Sequence, residues 1–141
     1  MSRLHTVDPS AATGKAKDLL HAVQTKMGLV PNMTKVMANS PAVLEAYLGF
    51  AAPLGKGLLE PKIREQLALV TAQRNQCDYC LSAHTAIGKM VGLTEEQILA
   101  SREGKGATRA EAALTFATRI LDNKGAIRES DSCGGSRRRF F

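Results

Sequence analysis

The chain has 141 residues, of which 44% are hydrophobic, 23% are charged and only 4% are aromatic, with no tryptophan. This length allows one domain with a core of its own, and the scarcity of aromatic residues favours helices packed through small and aliphatic side chains over a β-sandwich. The formal net charge is +6, of which Arg137, Arg138 and Arg139 against Asp131 contribute +2. The remaining charge is spread along predicted helices without interleaved aromatic residues, so we expect no nucleic-acid partner.

No segment of the sequence predicts insertion into a membrane. Runs of apolar residues stay well below the ~18 residues that a membrane-spanning helix needs, and residues 1–9 lack the apolar region of a signal peptide. We therefore expect a soluble protein of the cytoplasm with no membrane partner. In that reducing compartment a Cys-x-x-Cys pair is more often catalytic or metal-binding than structural.

Three helices are predicted in the first part of the chain, after an irregular N-terminal arm. Apolar residues recur at helical spacing up to Met27, and Gly28 is suited to end that helix. Pro31 begins a short second helix, and Ser40 with Pro41 provides an N-cap followed by proline at the first position of a third helix. The predicted helices cover residues 11–27, 31–39 and 41–52, with a loop over 53–57.

Four more helices are predicted in the rest of the chain. Pro61 opens the fourth, and a break after it places Cys77 at or near the start of the fifth. Thr94 and Gln97 form a capping box for a short sixth helix, and a seventh is predicted over residues 107–124. Because no run of five residues alternates cleanly between apolar and polar, no strand is predicted. The predicted fold class is all-α, with about six to seven helices.

One helical domain is predicted over residues 1–129. Its spaced methionines are interpreted as core filling; these are Met27, Met33, Met37 and Met90. Residues 130–141 have no helical period and are predicted to form an irregular tail. Two explanations of this segment stay open. It is either a native disordered tail or the product of a shifted reading frame, since starting one nucleotide later in GC-rich codons would give an alanine-rich helix.

The chemistry-bearing residues are concentrated in one stretch. Cys77 and Cys80 form a Cys-x-x-Cys pair, His84 lies four residues after Cys80, and Glu65 lies twelve residues before Cys77. On a helix of ~3.6 residues per turn, positions 77, 80 and 84 share one stripe. Two thiols and an imidazole on one helix face predict either a dithiol redox centre or part of a metal site.

For a redox centre, the sequence assigns a role to each of these residues. A thiol near a helix N-terminus, with a histidine one turn away, is favoured as the thiolate, which is the nucleophilic form. We therefore expect Cys80 to attack a peroxide with the help of His84, and Cys77 to condense with the resulting sulfenic acid into a disulfide. If the fourth helix folds back beside the fifth, Glu65 can hold or relay a proton. No cofactor and no metal are expected in this interpretation.

A non-catalytic interpretation stays open beside it. Cys77, Cys80 and His84 could supply three zinc ligands, with Glu65 or Cys133 as the fourth. The chain would then be a helical oligomer with a zinc-binding or redox-sensing site. Structural zinc sites usually combine two separated ligand pairs, and only one pair is visible here. A thioredoxin-like role would need a βαβ unit, which the predicted helices do not provide.

The motif is similar to that of a known family. Glu65, eleven intervening residues, Cys77-x-x-Cys80 and then His84, with Asn75 just before the first cysteine, resemble the alkylhydroperoxidase AhpD-like family. That family belongs to the larger carboxymuconolactone decarboxylase-like superfamily.

The resemblance covers about residues 4–129 and implies an all-helical subunit in a homo-oligomer, commonly a trimer or hexamer. It implies a peroxidase that reduces hydroperoxides, in which Cys80 matches the peroxidatic cysteine, Cys77 its partner, and His84 with Glu65 the proton relay. The best-known members of the family receive electrons from lipoyl groups, so a dithiol reductant is the implied partner.

One departure from the family leads to a prediction about assembly. Members normally continue with further helices where this chain has its tail, so apolar surface on the fifth and seventh helices would be left uncovered. A monomer rarely exposes a contiguous apolar patch above a few hundred Å². We therefore expect subunit contacts at or near Phe116, Ile120 and Leu121.

Overall fold

The structure, a computed structural model, describes residues 3–107 and 109–128. These residues form seven α-helices and no strand, which confirms the predicted all-α fold class. The helices are α1 (Gly14–Met27), α2 (Asn32–Met37), α3 (Pro41–Leu54), α4 (Pro61–Arg74), α5 (Asp78–Met90), α6 (Glu95–Arg102) and α7 (Arg109–Asp122). The predicted tail over residues 130–141 lies outside the described residues.

Most helices begin where the capping chemistry of the sequence predicts. Pro41 and Pro61 stand in the first turns of α3 and α4, where their fixed φ fits the helix and their missing N–H would have had no partner. At the start of α6, Thr94 and Gln97 form the complete capping box, with bonds of 3.2 Å and 3.0 Å between each side chain and the backbone N–H of the other. Ser40 is the N-cap of α3, but its side chain makes no capping hydrogen bond.

The end of α3 differs from the prediction. The helix continues through Pro53 to Leu54, although residues 53–57 were expected to form a loop. A proline inside a helix lacks the N–H that would bond to the preceding turn, and its ring crowds the carbonyl of that turn. One turn from the helix end this loss is tolerated, because the N–H of Gly55 still donates to the carbonyl of Ala51 at 3.0 Å.

The chain divides into two compact units, Met1–Gly57 and Leu58–Phe141. In the first unit α1 and α2 each pack against α3. The core of this unit is formed by three buried residues, Leu20, Ala38 and Leu44, with half-buried apolar residues around them. The single domain expected over residues 1–129 stays a prediction.

In the second unit α4 is the central helix, because α5, α6 and α7 all pack against it. A helix surrounded on several sides has no single apolar stripe, and the buried residues of α4 are indeed distributed around it: Ile63, Gln66, Leu69, Val70 and Ala72. Two apolar clusters result. One joins Ile63 to α7, and the other joins Leu69 to Leu93 and Ile98.

The four helices of the second unit end in the same way. After α4, the N–H of Gln76 donates to the carbonyl of Gln73 at 3.1 Å and the N–H of Cys77 donates to that of Ala72 at 3.0 Å. This pair of bonds defines a Schellman motif, which requires a left-handed residue at its corner. Glycine fills the corner after α5 and α6, whereas Gln76 and Lys124, both with φ 52°, fill it after α4 and α7.

Several apolar side chains are exposed where the sequence predicted core. The expectation that all the spaced methionines fill the core is wrong, because Met27, Met33 and Met90 are 51%, 37% and 85% exposed. Only Met37 packs against the core of the first unit. Phe116, Ile120 and Leu121 are half-buried. No helix in the described part of the chain is long and apolar enough to cross a lipid bilayer.

Candidate active site

The site is built at the junction between α4 and α5. Only three residues, Asn75, Gln76 and Cys77, connect the two helices. The Schellman bonds that close α4 end at the N–H of Cys77, and the same residue is the N-cap of α5. Cys77 is therefore fixed by hydrogen bonds to both helices rather than carried on a free loop.

Cys77 and Cys80 are joined by a disulfide within the first turn of α5, with their Cα atoms 5.3 Å apart. The Sγ atom of Cys77 also accepts a hydrogen bond from the backbone N–H of Cys80 at 3.2 Å, which caps the helix. A sulfur in this position faces the N–H groups and the positive end of the helix dipole, which favour negative charge. The reduced form of Cys77 is thus placed to be stabilised as a thiolate.

His84 and Glu65 are brought together because α5 folds back along α4. The Nδ1 atom of His84 lies 2.8 Å from the Oε2 atom of Glu65. Their side chains are 34% and 17% exposed, so the carboxylate is the more enclosed of the two. This bond engages Nδ1 and leaves Nε2 as the ring nitrogen that is available to a reacting group.

A pocket of about 310 Å³ lies between the two helices. On one side it is lined by the cysteines at the start of α5 and by His84, and on the other side by residues of α4. The lining residues are Leu67, Ala68, Thr71, Ala72, Asn75, Cys77, Cys80 and His84. The α4 residues fall at spacings of one, three and four, which is one stripe of a helix. The five residues of this stripe are called the α4 wall: Leu67, Ala68, Thr71, Ala72 and Asn75.

The α4 wall carries no ionisable side chain. The hydroxyl of Thr71 donates to the carbonyl of Leu67 at 2.7 Å, so its hydrogen is already used within the helix. Asn75 is exposed and lines the pocket, and its carboxamide makes no hydrogen bond to another described residue. The pocket therefore presents mainly apolar surface on α4, together with the Asn75 carboxamide, and reactive groups on α5.

All four residues predicted for the site lie in the second unit, and three of them line the pocket. Glu65 is not in the lining and stands behind His84, where it contacts the ring nitrogen. The α4 wall was not predicted, although the four-residue spacing of Leu67, Thr71 and Asn75 was a signal for it. In the described part of the chain, no group of three or more His, Cys, Asp or Glu side chains is placed to hold a metal ion.

The chain matches the model of a known protein family. The model of the carboxymuconolactone decarboxylase family matches residues 41–123, which is more than half of the chain. The matched range includes the α4–α5 junction with both cysteines, Glu65 and His84. None of the curated proteins compared with the chain matches it.

Proposed function

The chain belongs to the carboxymuconolactone decarboxylase family, and we propose that it is a thiol-dependent peroxidase and disulfide reductase that works through Cys77 and Cys80. The observation that carries this proposal is that the Cys77–Cys80 disulfide and His84 line one pocket. The family includes decarboxylases and peroxidases. A cysteine pair that opens and closes a disulfide supports peroxide reduction, because that chemistry consumes two thiols.

In the first half-reaction the Cys80 thiolate attacks one oxygen of the hydroperoxide. A bond forms between the Sγ atom and that oxygen, the O–O bond breaks, and the other oxygen leaves as an alcohol after taking a proton. Sulfur gives up two electrons and becomes a sulfenic acid. His84 supplies the proton from Nε2, while Nδ1 remains bonded to Glu65.

In the second half-reaction the Cys77 thiolate attacks the Sγ atom of the sulfenic acid. The disulfide forms and the hydroxyl leaves, with a proton, as water. The Cα separation of 5.3 Å lies within the range that a disulfide spans without backbone movement. A dithiol reductant, of the lipoyl-linked kind or another, then restores both thiols by exchange through a mixed disulfide and is itself oxidised.

A thiol count before and after a pulse of hydroperoxide tests the proposal, with metal analysis of the same sample. Loss of two thiols per chain, in protein that contains no metal, is the expected result. Stoichiometric zinc with both thiols retained would contradict it and would favour the non-catalytic zinc-binding module.

Single cysteine variants test the assigned roles. Cys80→Ser should abolish peroxide consumption. Cys77→Ser should still form one sulfenic acid, detectable with a sulfenic-acid reagent, but should not turn over. The reason is that His84 lies one helical turn from Cys80 and two from Cys77. Full turnover by Cys77→Ser with a dithiol reductant would show that the two-cysteine mechanism is wrong.

The assembly and the reductant that we propose are those that the resemblance to the AhpD-like family implies, and the location is the one expected from the sequence. We propose a homo-oligomer, a trimer or hexamer, in the cytoplasm, where a dithiol reductant is present. We propose no nucleic-acid partner and no membrane partner.

A further inference from the structure

The pocket is much larger than the group that reacts in it. A water molecule occupies about 30 Å³ of liquid volume, so hydrogen peroxide, with two oxygens, needs roughly twice that. The pocket of about 310 Å³ lies at the lower end of the range that organic ligands occupy. Most of its volume is therefore available to the part of a substrate that does not react.

Three residues of the α4 wall, Leu67, Ala68 and Ala72, bound that volume with aliphatic surface. Leu67 also packs against the cluster of Ile63, Ala110 and Ala113, and Ala72 is only 3% exposed. Both side chains are thus committed to the packing of the unit. Ala68 differs, because it lines the pocket, is half-buried and belongs to none of the buried core clusters.

We propose that Ala68 is a specificity-determining residue, whose small side chain sets how large an organic group can accompany the hydroperoxide to Cys80. This proposal rests on the proposed peroxidase function. A larger side chain at position 68 would grow from α4 into the pocket, opposite the cysteines on α5. It would exclude bulky hydroperoxides and leave room for hydrogen peroxide.

The stoichiometry of the reaction does not depend on the side chain at position 68. Two thiols and one hydroperoxide give one disulfide, one alcohol and one water, and the two electrons come from the sulfur atoms. Only the fit of the organic group beside the α4 wall differs between substrates. Its size should therefore affect the rate of thiol oxidation and leave the stoichiometry the same.

The experiment uses the full chain, reduced beforehand and freed of reductant, so that one oxidation is measured without an electron donor. The probes are hydrogen peroxide, tert-butyl hydroperoxide and cumene hydroperoxide. The variants are Ala68→Val and Ala68→Leu, which add volume in two steps. The matched control is Ala86→Leu, because Ala86 is an exposed residue of α5 that does not line the pocket.

We expect Ala68→Leu to lower the second-order rate constant for cumene hydroperoxide at least ~10-fold more than that for hydrogen peroxide, since excluding a few carbons from an apolar pocket is typically worth that much. Ala68→Val should lie between wild type and Ala68→Leu, and it carries the test if the leucine variant does not fold. Ala86→Leu should match the wild type with all three probes.

Equal losses for the three hydroperoxides in both Ala68 variants would overturn the size assignment while leaving the peroxidase function in place. The same size-dependent loss in Ala86→Leu would also overturn it. If the reduced wild type lost no thiols to any probe, the proposed function would fail first, and the assignment of Ala68 would fail with it.

Discussion

Glu65 stands behind His84 in the candidate site. Its carboxylate contacts Nδ1 of the ring at 2.8 Å and does not line the cavity. A carboxylate that accepts a hydrogen bond from Nδ1 would fix the tautomer of the ring and leave Nε2 for the reacting group. We therefore propose that Glu65 serves the proton relay by positioning His84, so that its removal changes proton transfer more than it changes binding.

Replacing Glu65 by Gln should slow the oxidation of the cysteine pair by ~10²–10⁴-fold, which is the usual worth of a positioned proton-transfer group. The pH profile of the reaction should change as well, because a carboxamide does not bind the Nδ1 atom of His84 as a carboxylate does. Stopped-flow thiol oxidation between about pH 5 and pH 9 measures both effects, with thermal unfolding as the control for folding. Unchanged rates over that range would reduce Glu65 to a structural role.

Replacing threonine by valine should have opposite effects on the free energy of unfolding at two positions, Thr118 and Thr34. The Oγ1 atom of Thr118 is buried and has no hydrogen-bond partner among the described residues. Thr34 is 2% exposed, and its hydroxyl donates to the carbonyl of Pro31 at 2.7 Å. Because an unpaired buried hydroxyl costs ~1–3 kcal/mol and a paired one contributes about 1 kcal/mol, the sign of the effect depends on the partner.

Thr118→Val should raise the free energy of unfolding by about 1 kcal/mol, and Thr34→Val should lower it by a similar amount. Denaturation with urea at constant protein concentration measures both. A loss of stability in Thr118→Val would mean that its hydroxyl finds a partner in solution, and the interpretation of an orphaned group would then be wrong.

At the level of the helices, the left-handed backbone conformation at the corner after α4 lowers the stability of the folded state. Gln76 has φ 52°, and a side chain in that region is disfavoured by ~1–2 kcal/mol. Glycine would relieve this cost, although it loses part of the gain through the greater freedom of the unfolded chain. The corner after α7, with Lys124 also at φ 52°, offers the same geometry away from the pocket.

Gln76→Gly and Lys124→Gly should each raise the free energy of unfolding by about 0.5–1 kcal/mol, measured by denaturant titration. Neither should change the rate of thiol oxidation by more than about 2-fold, since the Schellman bonds are made by the backbone. Destabilisation by Gln76→Gly alone would mean that its side chain supports the junction.

The starts of the helices were predictable because they depend on local chemistry. Proline in the first turn and a Thr–Gln capping box act within four residues, so the sequence contains all that is needed. The exposure of Met90 was not predictable in this way. Its position near the end of α5 fits a helical stripe, but burial depends on which neighbouring helix covers that stripe, and this is decided by tertiary packing.

The same limit applies to the site. The spacing of Cys77, Cys80 and His84 places them on one stripe of α5, and this needed only the helical period. The contact between His84 and Glu65 requires α5 to fold back along α4. The sequence is compatible with this arrangement of the two helices but does not determine it. The α4 wall was missed because Ala68 and Thr71 are ordinary helix residues until the opposing helix is known.

At the scale of the whole molecule, α3 is a candidate contact surface for the proposed homo-oligomer. Along this helix Val43, Phe50 and Leu54 are 52%, 68% and 55% exposed. Glu45 is the charged residue of α3, and it is paired with Lys15. Phe116, Ile120 and Leu121 on α7 are half-buried, so α3 has more exposed apolar surface than α7, one of the two helices for which the sequence predicted it.

We expect the chain to sediment as an oligomer, and Phe50→Lys to weaken the assembly by at least ~10-fold in dissociation constant, because a charge would have to be buried in an apolar contact. Analytical ultracentrifugation over a range of concentrations is the measurement. Phe116→Lys is the comparison that separates a contact on α3 from one on α7. A monomer at all concentrations would contradict the assembly itself.

The hydrogen bond from the backbone N–H of Cys80 to the Sγ atom of Cys77 has a consequence for spectroscopy. A disulfide sulfur is a weak acceptor, whereas a thiolate in the same place would draw the amide hydrogen much more strongly. The amide resonance of Cys80 should then move downfield, and its hydrogen should exchange more slowly, when the pair is reduced. In isotopically labelled protein, one backbone signal would thus follow the redox state during turnover, without a coupled assay.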